Sequence, residues 1–71
     1  MNTIEKIKQL INGEYTIEGK NGGKPYNLAD DADKFFNKGN GSAGTRVRAI
    51  MQELVNLSKE VRKEVTEKKS S

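Results

Sequence analysis

The chain has 71 residues, 13 of them Lys or Arg against 10 Asp or Glu, and it contains no His, Cys or Trp. Those absences exclude thiolate nucleophiles, imidazole bases, zinc sites of ordinary type and disulfide bracing. Leu, Ile, Val and Phe together make about 21% of the chain, beside the level at which chains stop folding alone.

One small domain is therefore expected, completing its core in an oligomer or on a target. No 18-residue apolar run and no signal-peptide pattern is present, which predicts a soluble cytoplasmic protein without a membrane partner.

Residues 2–12 read as a short helix. Ile4, Ile7, Leu10 and Ile11 recur at helical spacing, and Asn2 with Glu5 resembles a capping box, with Gly13 as the stop. In residues 14–26, Glu14-Tyr15-Thr16-Ile17-Glu18 alternates polar and apolar, and Asn21-Gly22 suits a tight turn. This segment is predicted as a β-hairpin, with a loop as the competing reading. Pro25 would confine the return strand to an edge.

Residues 28–38 are predicted as a second helix. Asn27 caps it, acids gather at its start, and Lys34 and Lys38 lie near its end. Its apolar face is read as Leu28, Ala32, Phe35 and Phe36. The four aromatics (Tyr15, Tyr26, Phe35, Phe36) are assigned to the core rather than to a base-stacking platform.

After a Gly39-Asn40-Gly41 break, a long amphipathic helix is predicted over 42–68. Val47, Ile50, Met51, Leu54, Leu57, Val61 and Val65 form its stripe, and residues 70–71 are left as a frayed tail. The fold class expected is thus mostly α: a helical hairpin preceded by a short helix and the possible β-hairpin. Because the long helix has more apolar face than residues 28–38 can cover, a homodimer or higher oligomer is expected. Residues 1–30 are set apart as an interface or partner segment, and residues 31–69 as the hairpin region.

Charge is unevenly placed. Residues 1–33 carry four lysines against six acids, a net −2, whereas residues 34–71 carry nine bases against four acids, a net +5. At about 100° per residue, Arg48, Lys59, Arg62 and Lys63 share one flank of the long helix, and Glu53, Glu60, Glu64 and Glu67 share the other. Arg46 falls on the acidic side. A basic stripe of this kind suits phosphates along a nucleic-acid backbone. The competing reading is flank-to-flank pairing of helices, which neutralises the stripe in a parallel pair and leaves it open in an antiparallel one.

The run from Gly39 to Thr45 contains GxGxxG and the glycine skeleton of a P-loop. It lacks both the preceding buried strand and the P-loop lysine, so nucleotide hydrolysis is set aside. What remains is a turn leading into a helix N-terminus, with hydroxyls from Ser42 and Thr45 and charge from Lys38, Arg46 and Arg48. That set suits a phosphate or two; a tight helix–helix turn explains the glycines equally well. The acids Asp30, Asp31 and Asp33 lack calcium-loop spacing and are explained by the helix dipole. No catalytic, metal or cofactor site is read, and no small-molecule substrate.

Lys38-Gly39-Asn40, then Ala43-Gly44-Thr45-Arg46-Val47-Arg48, then the stretch from Leu57 to Glu64 resemble the bacterial linker-histone-like nucleoid proteins. The likeness covers about residues 31–69. It implies double-stranded DNA as partner, a nucleoid location, and contacts through Lys38, Arg46, Arg48 and the downstream cations with little sequence preference. Two departures stand out: Gly41 replaces a lysine found in many relatives, and a long lysine- and alanine-rich tail is absent, which weakens the case for strong condensation.

Two functions are thus expected in order. The first is non-enzymatic, sequence-nonspecific DNA binding by a histone-like protein through Lys38, Ser42, Thr45, Arg46, Arg48, Lys59, Arg62 and Lys63. The alternative is a small helical oligomerisation or protein–protein module that binds no nucleic acid.

Overall fold

A computed structural model describes residues 2–70, with side chains to residue 69. Three α-helices follow one another: α1 (Thr3–Asn12), α2 (Leu28–Lys38) and α3 (Gly41–Ser70). Ser71, half of the expected tail, lies outside the described residues, and the backbone of α3 is helical through Ser70.

Local chemistry accounts for the boundaries. Asn2 caps α1 by accepting from the Glu5 N–H, and Gly13 ends it in the left-handed conformation at φ 85°. Asn27 caps α2 by accepting from the Asp30 N–H at 2.9 Å. Gly39, at φ 67°, then lets the Gly39 and Asn40 N–H groups close on the Phe35 and Lys34 carbonyls. Asn40 in turn caps α3, its side-chain oxygen accepting from the Ala43 N–H at 3.1 Å.

The segment between α1 and α2 is not a hairpin. Tyr15 and Tyr26 form a single antiparallel bridge, the Tyr26 N–H donating to the Tyr15 carbonyl at 2.7 Å, and no strand occurs among the described residues. The alternation is real, since Tyr15 and Ile17 turn inward while Glu14, Thr16 and Glu18 stay exposed. The ladder stops after one rung because Gly19, Asn21, Gly22 and Gly23 all take positive φ and Pro25 has no N–H to donate. Asn21 steadies the resulting turn by donating to the Lys24 and Pro25 carbonyls.

Leu10 of α1, Tyr26 of the loop, and Ile50 and Leu57 of α3 make the core, with Ile7, Tyr15, Ile17, Leu28, Ala49 and Leu54 packed around it. Residues on both sides of position 30 therefore share one core. α1 and α2 both lie against α3, and Ala43 and Gly44 are buried where α2 crosses it. Phe35 and Phe36 depart from the expected core role, remaining 40% and 72% exposed. The face of α2 turned to α3 runs through Leu28, Asp31, Ala32 and Phe35, and Phe36 lies about 100° beyond it.

The far end of α3 holds the start of α1. Glu64 accepts from both the backbone N–H of Thr3, at 3.1 Å, and the Thr3 hydroxyl. These bonds, with Lys6 nearby, hold the Glu64 carboxyl below its ordinary 4.5. A carboxyl depressed in this way stabilises fully above that value, and the contribution is lost as pH falls through the folded pKa. Glu64→Gln is accordingly expected to lower the melting temperature near neutrality and to flatten its decline below about pH 4.5. Identical acid limbs for the two chains in thermal scans followed by circular dichroism would contradict this role.

Candidate nucleic-acid interface

The acidic side of α3 is partly spent inside the molecule. Glu64 is tied to Thr3, and half-buried Glu53 lies close enough to Tyr15 to add to the upward shift that burial gives its phenol. Glu60 and Glu67 remain exposed.

The opposite flank is open. Arg48, Lys59, Arg62 and Lys63 are all exposed, and among the described residues none of them takes part in an ion pair. From Arg48 to Lys63 the flank extends about 22 Å at 1.5 Å per residue. Beside it runs an apolar strip. Met51 and Val55, 42% and 49% exposed, line a shallow groove with Leu54, Ser58, Lys59 and Arg62, and Val65, 49% exposed, lies farther along α3 in a second groove with Ile4 and Val61. Val55 was absent from the stripe read in the sequence because it falls on the basic side of the helix rather than on the core side.

The structure divides the cations proposed around the glycine turn. Arg46 donates from Nε to Asp31 Oδ1 at 2.9 Å, with the arginine side chain 31% and the aspartate side chain 7% exposed. It faces a polar groove formed with Asn21, Lys24, Asn27 and Lys34, on another side of α3 from Arg48. Asp31, read in the sequence only as a helix-dipole acid, is thus also the buried partner of a cation. Spacing gave no sign of this, because the pair joins positions 15 apart on different helices.

Lys38 is exposed and pairs with Asp33 at 3.4 Å. Hydrogen bonds from Asn37 and Lys38 hold the Asp33 carboxyl below its usual range. Thr45 donates its hydroxyl back to the Gly41 carbonyl at 3.5 Å, whereas Ser42 stands exposed in the first turn of α3. Phe36 and Arg48 line one groove with Gly41, Gly44, Thr45 and Val47, so the hairpin apex joins the basic flank. Among the described residues, no group of acids is arranged to hold a metal, and no helix is long and apolar enough to cross a membrane.

The arrangement is that of a small helical protein presenting a cationic helix flank. The family model for histone H1-like protein Hc1 matches residues 26–71, well over half of the chain, and the chain belongs to that family. The match contains the whole region over which the sequence resembles linker-histone-like nucleoid proteins. No match was found among curated proteins or among solved structures. Membership places the chain with histone H1-like, DNA-associated proteins.

The split between Arg46 and Arg48 has a measurable consequence. Arg46→Ala strands a buried carboxylate and is expected to cost about 1–3 kcal/mol in urea unfolding. Arg48→Ala, on the open flank, should stay within about 0.5 kcal/mol of the parent. Equal losses for the two variants would contradict the structural role assigned to Arg46.

Proposed function

We propose that the chain binds double-stranded DNA non-enzymatically and without sequence preference, in the nucleoid, by laying the open flank of α3 along the phosphate backbone. The observation that carries this reading is the exposed set of Arg48 near the turn and Lys59, Arg62 and Lys63 about three turns on, free of ion pairs among the described residues, on the side of α3 away from Glu53 and Glu64. At the apex Thr45 shares a groove with Arg48, and exposed Lys38 and Ser42 are proposed as further contacts from the turn. Arg46 is engaged by Asp31 and serves the fold first.

Each cation that neutralises a phosphate releases a counterion, so the number of contacts is read from the salt dependence. Four contacts predict a slope of log affinity against log salt of about −3.6, and participation of Lys38 would steepen it toward −4.5. The measurement is fluorescence anisotropy on duplexes of several sequences at 50–300 mM salt. Arg48→Gln with Arg62→Gln should weaken every duplex alike and make the slope shallower by nearly two. Salt-independent affinity, or binding confined to one sequence, would exclude this mode.

The apolar strip supports a finer proposal: two copies pair through Met51, Val55 and Val65, with their α3 helices antiparallel. Parallel pairing would set the partner's cations against the acidic flank, of which Glu60 and Glu67 are exposed while Glu53 is half-buried and Glu64 is engaged with Thr3 of its own chain. Antiparallel pairing sets the two basic flanks side by side along the seam, since Lys59 and Arg62 border the same groove as Val55, and phosphate bound across the seam would offset their repulsion. Val55→Glu is expected to shift sedimentation to the monomer. A chain that sediments as a monomer before the substitution, at concentrations that saturate DNA, would rule the pairing out.

A further inference from the structure

Phe36 is exposed at the mouth of the hairpin and is held there firmly. It lies in the last turns of α2, which Gly39 closes, and its ring stands edge-on to Phe35 with centroids 4.9 Å apart and planes at 79°. Phe35 is itself seated on Gly44, where a Cβ would come within 2.5 Å of its ring. The exposed ring therefore rests on a second ring, which rests on helix backbone. At 72% exposure the ring presents an apolar contact surface held in place from below.

Charge around the ring selects the recipient. Arg48 is the only charged side chain lining the groove that Phe36 shares with Gly41, Gly44, Thr45 and Val47. Asp33, one turn back on α2, is already bound by Lys38 and Asn37. Further along the same side of α3 come Lys59 and Arg62. An apolar ring beside a cation, with further cations along the same helix, complements a surface that is anionic outside and apolar within, which describes the phosphate backbone and the base stack of DNA.

We propose that Phe36 is a wedge that enters between two stacked base pairs and kinks the duplex, while Arg48 and its neighbours hold the adjoining phosphates. This rests on the DNA-binding reading and deepens it. Side chains of this type open a base step at a cost of a few kcal/mol, recovered through the added contacts of bent DNA. Pyrimidine–purine steps open most easily, so the wedge enters at such steps wherever a bound duplex offers them, with no base edge read and phosphate contacts still setting the affinity.

The test uses the full chain and a 30-bp duplex with a central TA step, carrying 2-aminopurine at the step and a donor–acceptor pair at its ends. Anisotropy on the same duplex gives affinity and salt slope. The parent chain is expected to raise 2-aminopurine fluorescence and bring the duplex ends closer. Phe36→Ala should abolish both signals while leaving the salt slope unchanged, and Phe36→Trp should keep them. Circular dichroism melting of both variants checks that the exposed position leaves the fold intact.

Binding with the expected slope but no bending by the parent chain overturns the wedge and leaves phosphate binding standing. Bending by Phe36→Ala equal to that of the parent overturns it as well. If Phe36→Ala dissociates a dimer in sedimentation without changing the bend, the ring's occupant is a second copy and not DNA. Absence of any binding removes both readings together.

Discussion

A helix of 30 residues can support both shorter helices along a single face, and that constraint organises this molecule. α3 spans roughly 45 Å at 1.5 Å per residue, close to the 47 Å length of the whole chain. Ile50 and Leu57 lie beneath Leu10 and Tyr26, so α3 is the floor of the core while its other side stays in solvent. With α1 and α2 each only about three turns long, neither is expected to hold its shape without that floor.

The same division governs the charges. Thr3 at the start of α1 is answered by Glu64, and Arg46 on α3 is answered by Asp31 on α2, so two charged groups of α3 fasten the short helices to it. Among the described residues, Arg48, Lys59, Arg62 and Lys63 enter no such ion pair. A formal charge of +3 understates this surface because much of the compensating acid is on the N-terminal segment or paired within it.

Histone H1-like membership and the open flank agree physically. Backbone-directed binding needs spaced cations on a rigid rod more than it needs a pocket. A 71-residue chain with little core to spare can provide such a rod. The apolar strip of Met51, Val55 and Val65 and the ring of Phe36 are the costly parts of this surface, and cations adjoin them, which ties their purpose to what the cations meet.

Much of this was legible in the sequence because it is local. The bounds of α2 follow from Asn27 and Gly39 and those of α1 from Asn2 and Gly13, since capping is decided within a few residues, whereas Asn40, read as part of a break, also caps α3. The separation of acidic and basic flanks on α3 also follows from helical periodicity alone. What only the tertiary structure decided was which group faces which. Periodicity alone puts Arg46 and Arg48 on different sides of α3, but that the first meets buried Asp31 and the second meets solvent is decided by the fold. Phe35 and Phe36 are adjacent, yet only the first lies over Gly44. The Tyr15–Tyr26 pairing ends after one rung because the intervening turn takes up the backbone that a strand would need. Each of these depends on how α1, α2 and their connection are set against α3, a relation between distant residues that local spacing does not contain.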